Sequence, residues 1–289
     1  FGSRRAHSAA AGPLAARAAY IGGCSGTSNT QAGMQYSIPV FGTAAHSWTM
    51  SFDDEETAFR ELQKLLGPST VYLLDTYDTL EAARTAVRIG RPLWGVRLDS
   101  GDLAEQSHAV RRILDEAGMT EVKIMATNDL NESKLETLIT SGAPIDAFGV
   151  GTDLATSADA PALSAVYKLV EREAGESHQY TAKYSTDKTT LPGAKQIYRA
   201  ADHDVLALYN ECNSALKGEP LLRPCLVRGE LLEPYPELSR IRCYAKSKIA
   251  SLPETLRQLN GESGYRVEIS SRLQMLANAI RNSRQVVTL

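Results

Sequence analysis

Arg97 and Asp99 stand two residues apart in Gly95-Val96-Arg97-Leu98-Asp99-Ser100-Gly101-Asp102, so in an extended segment both side chains leave the same face. Together a guanidinium and a carboxylate can hold an anion and a cation, or steady a developing positive charge. The same pair also reads as an inward salt bridge of a core, because buried charges need partners. In Leu74-Asp75-Thr76-Tyr77-Asp78-Thr79, Asp75 is a candidate for ligand or Mg²⁺ contact, whereas Asp78 reads as a helix cap. Asn128 and Asp129 repeat that ambiguity further on. His46, in a loop of small residues from Gly42 to Ser47, is either a structural histidine or a reactive one. Gly149-Val150-Gly151-Thr152-Asp153 offers free backbone N–H groups to a phosphate, although a G-x-G-T run also serves as a tight turn with no ligand. Arg4 and Arg5 form a surface pair, or else a bidentate clamp for a carboxylate.

These clusters share a position. Each follows a short apolar run: Val71 to Leu74, Trp94 to Leu98, Val122 to Met125 and Ile145 to Phe148, whose starts lie 23, 28 and 23 residues apart. Segments of helical length and period separate the runs, which is the rhythm of βα units, and such folds place chemistry at the C-terminal strand ends. Ile38 to Phe41, followed by Gly42 to Ser47, makes a fifth such strand and loop. Helices are predicted over residues 13–23, 29–34, 54–66, 80–89, 103–117, 132–140 and 161–173, several opened by Ser, Asp or Asn and closed near Gly67, Gly90, Gly118 and Gly142. Past Gly175 the pattern turns alternating and turn-rich. It predicts strands at 179–184, 195–198, 205–208, 221–227 and 265–269, and helices at 253–260 and 270–282. The expected organisation is an α/β barrel part over 1–175 and an α+β portion over 176–289 that packs back on it.

A chain of 289 residues with 43% hydrophobic side chains can build one large α/β domain or two ordinary ones. Thirty-one basic against 34 acidic residues give a charge of -3, which points to neither nucleic acid nor an anionic membrane. With no apolar run near the roughly 20 residues of a spanning helix and no charged-then-apolar leader, the expected location is cytoplasmic. Cys24, Cys212, Cys225 and Cys243 lie far apart with no CxxC pair, so buried free thiols are expected rather than zinc ligands or disulfides. The opening Phe1-Gly2-Ser3-Arg4-Arg5 has no initiator Met and reads as the start of a fragment.

Taken in order, Phe1 to Ala6, Ala18 to Gly23, Gly26-Thr27-Ser28-Asn29, Ile38-Pro39-Val40, Gly42 to Ser47, Leu74 to Thr79, Gly95 to Asp102 and Phe148 to Thr152 together resemble nicotinate phosphoribosyltransferase. Lys195 to Arg199 and Leu222-Arg223-Pro224 fit the same family's C-terminal part. The resemblance implies a type II phosphoribosyltransferase, an irregular (β/α) barrel joined to a smaller domain, acting as a homodimer. It implies condensation of nicotinate with phosphoribosyl pyrophosphate to nicotinate mononucleotide and pyrophosphate in NAD salvage, with Mg²⁺, and with ATP as co-substrate through a phosphorylated histidine.

By that resemblance His46 is the phosphorylated residue, with Ser47 beside it near the phosphates. Arg4 and Arg97 surround the nicotinate carboxylate and pyrophosphate, Asp75 and Asp99 contact ring, ribose or Mg²⁺, Asn128 faces the ribose, and Gly151 and Thr152 hold the 5′-phosphate. One departure is plain: after Arg5-Ala6 the family has a Gly- and Asp-bearing loop, where this chain has His7-Ser8-Ala9-Ala10-Ala11-Gly12. A relative that uses another pyridine acid or amide, and a non-catalytic fragment, are the rival readings. An aldolase-like barrel is disfavoured because no lysine occupies the five strand ends where a Schiff base would form.

Overall fold

The computed structural model describes residues 1–175, 177–185, 188–211, 216, 218–259 and 264–285. They form two compact units, Phe1–Ala162 with Leu238–Lys246, and Leu163–Glu237 with Ser247–Leu289, so the expected boundary near 175 falls inside the second.

In the first unit, helices α1 (Ala11–Gly22), α2 (Thr30–Tyr36), α3 (His46–Thr49) and α4 (Glu55–Leu66) precede a repeating series. That series runs β1 (Val71–Leu73), α5 (Thr79–Ile89), β2 (Gly95–Leu98), α6 (Leu103–Glu116), β3 (Lys123–Ala126), α7 (Glu132–Thr140), β4 (Ala147–Phe148) and α8 (Thr152–Thr156). The strands form one parallel sheet in the order β1-β2-β3-β4, with Leu73 beside Arg97 and Arg97 beside Met125. Ile38 to Phe41 does not join it. That stretch makes only a bridge between Val40 and Thr27, because Pro39 has no N–H to give a ladder.

Alternation along the strands sorts the side chains. Tyr72, Leu74, Val96, Leu98, Ile124 and Ala126 pack with Phe59, Leu62, Ala82, Ala86, Val110 and Leu114 from the helices, and the Phe59 and Tyr72 rings stack at 4.4 Å. Arg97 lies in the other set, in register with Leu73 and Met125. Helices α5, α6 and α7 each follow a strand, so their N-caps lie near the strands' C-terminal edge. Asp54, Asp78, Asp102 and Asn131 cap α4 to α7 by accepting backbone N–H bonds. Asp78 and Asp102 are thereby committed to the fold. Arg242 secures the other end of α1, its guanidinium donating to the carbonyls of Tyr20, Gly23 and Cys24 and lying 4.3 Å over the Tyr20 ring.

The second unit holds hairpins β5 (Glu171–Ala174) with β6 (Ser177–Tyr180), and β10 (Leu226–Val227) with β11 (Glu230–Leu231). Its main sheet contains β7 (Lys195–Arg199), β8 (His203–Leu208), β9 (Glu219–Pro220) and β12 (Arg266–Ile269) in the order β12-β8-β7-β9, and α10 (Ser271–Gln285) contacts β8. Helix α9 (Leu238–Ala250) spans the division between the units.

Three sequence expectations fail here. The predicted helix over 161–173 is irregular chain followed by strand β5: Leu163, Val166 and Tyr167 are 79% or more exposed, so the helical period has no surface to bury. Pairing of Glu171 with Tyr180 wins instead. Of the predicted strand over 221–227 only Leu226–Val227 is strand, in a separate hairpin, while the residues paired with β7 are Glu219–Pro220 just before it; Pro224 cannot continue a ladder between the two. The predicted helix over 253–260 is a single 3₁₀ turn, Glu254–Leu256, and Asn260 lies outside the described residues. Its i→i+3 bond, Arg257 N to Glu254 O, closes one turn that no following bond extends.

Cys24 is half-buried while Cys225 and Cys243 are exposed, all three as free thiols, so the expected burial is not met; Cys212 lies outside the described residues. No helix among the described residues is long and apolar enough to cross a membrane.

Candidate active site

At the C-terminal ends of β1 and β2, four of the residues singled out in the sequence meet. Arg97, only 9% exposed, places Nη2 3.8 Å from Asp99 Oδ2 and donates from Nη1 to the Thr43 hydroxyl, leaving its buried Nε without a partner. Burial pushes the guanidinium below its ordinary value, and the carboxylates of Asp99 and Asp75 oppose that shift. This cation is under-satisfied. His46, at the start of α3, sets Nε2 3.6 Å from Asp99 Oδ2 and Nδ1 3.2 Å from the Thr76 hydroxyl. Asp75 accepts the Ser100 hydroxyl on Oδ2, while its buried Oδ1 has no partner.

One ligand atom from each of His46, Asp75 and Asp99 lies within 4.8 Å of the others. Carboxylate oxygens are the donors Mg²⁺ prefers, and the unpaired Asp75 Oδ1 is an oxygen that such an ion would satisfy. Asp75 and Asp99 therefore fit the expected metal.

A second group forms at the ends of β3 and β4. Arg5 donates to Asp129 at 3.2 Å and to the Thr152 hydroxyl at 2.9 Å, and Thr152 lies 3.3 Å from Asp129. Asn128 is exposed, at φ 97°, in a left-handed turn that asparagine tolerates better than most residues. Gly151 precedes the short helix α8 with no side-chain cap, and a Cβ on neighbouring Gly2 would come 2.5 Å from the Gly151 carbonyl oxygen. The two loops touch backbone to backbone, which requires glycine.

His46, Asp75, Arg97 and Asp99 thus converge, while Gly151 and Thr152 sit in a neighbouring group with Arg5. Arg4 and Ser47 are exposed. The resemblance assigns Arg4 to the ligand, and within the protein it is the adjacent Arg5 that contacts Asp129 and Thr152. The sequence reading passed over Thr43, Thr76 and Thr127, whose hydroxyls engage Arg97, His46 and Asp99. The signal was present, since all three lie in strand-end clusters or loops, but nothing in a threonine marks it before the fold does. The second unit has a cavity of about 460 Å³ lined by Arg199, Glu219, Lys248 and Tyr265. Its charges are matched within the protein, Lys248 to Glu219 and Arg199 to Asp204.

Comparison with known proteins bears on this geometry. Residues 1–174 match the nicotinate phosphoribosyltransferase (NAPRTase) family and residues 210–277 the nicotinate phosphoribosyltransferase C-terminal domain. Nicotinate phosphoribosyltransferase pncB2 of Mycobacterium tuberculosis is 40% identical over 283 residues, covering 94% of this chain and 60% of its own. Among solved structures, nicotinate-nucleotide pyrophosphorylase of Pyrococcus furiosus is similar at TM-score 0.73 and 28% identity, covering 87% of this chain and 64% of its own. Human nicotinic acid phosphoribosyltransferase is similar at TM-score 0.72 and 26% identity, covering 97% and 70%. The chain spans about three fifths of the length of pncB2 and of the Bacillus subtilis nicotinate phosphoribosyltransferase that it matches.

Proposed function

The chain belongs to the nicotinate phosphoribosyltransferase family, and from that premise we propose that it carries the site that condenses nicotinate with phosphoribosyl pyrophosphate, giving nicotinate mononucleotide and pyrophosphate in NAD salvage. The observation that carries the reading is the under-satisfied group at the strand ends: a buried arginine with an unpaired Nε, and two carboxylates beside a histidine.

The chemistry asks for such a group. When the pyridine nitrogen attacks the anomeric carbon and pyrophosphate leaves, positive charge grows on the sugar and negative charge on the departing oxygens. Asp75 and Asp99 stabilise the first and Arg97 answers the second, while Arg4 pairs with the nicotinate carboxylate and holds the acceptor. Mg²⁺, when bound through Asp75 and Asp99, would neutralise pyrophosphate charge. Asn128 faces the ribose, and Gly151 and Thr152 hold the 5′-phosphate. The protein's main contribution is alignment of the two reactants. His46 accepts a phosphoryl group from ATP, with Ser47 near the phosphates, which couples ATP hydrolysis to the reaction. The active form is a homodimer in the cytoplasm.

A related phosphoribosyltransferase acting on another pyridine acid or amide is the second reading, since the strand-end carboxylates and Arg97 answer charge on the sugar and the leaving pyrophosphate whichever pyridine attacks. Pyrophosphate release should be measured with phosphoribosyl pyrophosphate, Mg²⁺ and each acceptor in turn, with and without ATP. Release with nicotinate but not nicotinamide or a pyridine dicarboxylate, stimulated by ATP, is expected. A preference for nicotinamide or the dicarboxylate selects the second reading, and no release from a folded chain rejects both for residues 1–289. Labelling with γ-labelled ATP should give an acid-labile phosphoryl group that His46→Ala abolishes; equal labelling in that variant rules His46 out.

A further inference from the structure

Asp99 is where the site converges, since Arg97 and His46 both address its Oδ2. Its other oxygen is taken by Thr127, whose hydroxyl donates to Asp99 Oδ1. Thr127 follows β3, is 7% exposed, and its backbone N–H donates to Leu98 O at 2.9 Å, so its main chain is tied to the residue preceding Asp99. The hydroxyl has a single proton and a second acceptor nearby, Leu98 O at 3.3 Å. The side-chain rotamer decides which group it serves.

Gly149 sets that rotamer. It is buried, its N–H donates to Ala126 O at 2.8 Å, and a Cβ built on it would lie 2.6 Å from the Thr127 γ-methyl. The methyl occupies the space that a side chain at 149 would need. The Met125 terminal methyl, 3.0 Å from the same point, sits on a flexible chain and can give way. The Thr127 methyl can move only by turning the hydroxyl off Asp99. Across the ends of β2, β3 and β4, then, Asp99, Thr127 and Gly149 form a row whose backbones are fixed by the ladder and whose side chains fit one way.

We propose that Thr127 is a positioning residue that holds Asp99 with Oδ2 toward His46 and Arg97, and that Gly149 is glycine in order to admit the Thr127 methyl. The kinetic part rests on the transferase reading above; the geometric part stands without it. A carboxylate free to turn would face the developing charge for only part of the time, and misplacement by about 1 Å can cost ~100-fold in rate.

Four variants of the 289-residue chain test this: Thr127→Val, Thr127→Ser, Gly149→Ala and the double variant Thr127→Ser with Gly149→Ala, each by crystal structure and by pyrophosphate release. Thr127→Val keeps the shape and loses the bond. Asp99 is expected to turn, and kcat to fall ~30-fold with the KM for nicotinate within about twofold. Thr127→Ser keeps the bond and should lose only ~3-fold. Gly149→Ala alone should lose ~10-fold, and the double variant should return to the level of Thr127→Ser, the non-additivity expected of two residues sharing one contact. Unchanged Asp99 orientation in Thr127→Val, or no recovery in the double variant, would overturn the proposal. A parent chain without nicotinate-dependent release counts against the transferase reading alone, and the orientation of Asp99 in the Thr127→Val structure then decides the proposal by itself.

Discussion

Arg97 with Asp99 in the first unit and Arg199 with Asp204 in the second are both arginine–aspartate pairs on or beside strands, and they differ in how completely they satisfy each other. In the second unit Arg199 and Asp204 are cross-strand partners of β7 and β8. Two parallel bonds of 2.9 and 2.8 Å join them, and the Tyr265 hydroxyl donates to Asp204 at 2.9 Å. The hydrogen bonds from Arg199 hold the Asp204 carboxyl below its usual range, and burial works against them. In the first unit Arg97 and Asp99 stand 3.8 Å apart, the arginine keeps an unpaired buried nitrogen, and the aspartate is shared with His46 and Thr127. A pair that completes its own bonds serves the fold. A buried pair left incomplete costs stability and is positioned for something the chain does not itself supply.

The strongest way to break this contrast is Arg97→Met. Pyrophosphate release should fall by ~1,000-fold or more, while the melting temperature changes little, because the cation removed is desolvated and lacks a partner on Nε, and the Asp99 left behind keeps Thr127 and His46. A large loss of melting temperature would instead make Arg97 a structural residue. Arg199→Met should show the opposite profile, losing about 2 kcal/mol in urea denaturation, less than a fully buried pair because Arg199 is partly exposed. Its pH dependence has a definite sign. Since the folded pKa of Asp204 is depressed, the pair's contribution is complete above the unfolded value of about 3.9 and is lost as pH falls through the folded value. The gap in urea midpoint between parent and Arg199→Met should close in acid.

The smallest effect concerns Glu55 in the first turn of α4, whose buried Oε1 has no partner and whose carboxyl is pushed up to about 7, chiefly by burial and then by Asp78. Here the folded state retains a proton that the unfolded chain releases, so stability declines as pH rises from the unfolded value near 4.3 to about 7. Glu55→Gln should match the parent at pH 4 and exceed it by about 1 kcal/mol at pH 8, a figure reduced from the full shift because solvent reaches the group. Equal melting curves at both pH values would show that Glu55 is solvated.

Much of the first unit was legible because its signals are local. Asp54, Asp78, Asp102 and Asn131 each precede a helix and cap it, as their short polar side chains dictate. The parallel strands β1 to β3 read as short apolar runs because both faces are buried. The second unit was harder to read. The stretch over 161–173 has a helical period but no partner surface, and the pairing that settles residues 171–174 lies across a turn at Gly175.

From its sequence alone the chain determined the βα rhythm, the caps, and the gathering of Asp, Asn, Thr and Gly at strand ends, since each depends on residues within a few positions of one another. Only the tertiary structure decided which of those groups meet. That Arg5 rather than Arg4 reaches Asp129, that His46 faces Asp99 across 53 positions of chain, and that Gly149 yields its space to the methyl of Thr127 all follow from strand register and the neighbouring loops. Contacts of that kind are set by where backbones come to lie side by side, and no local run of residues encodes that distance.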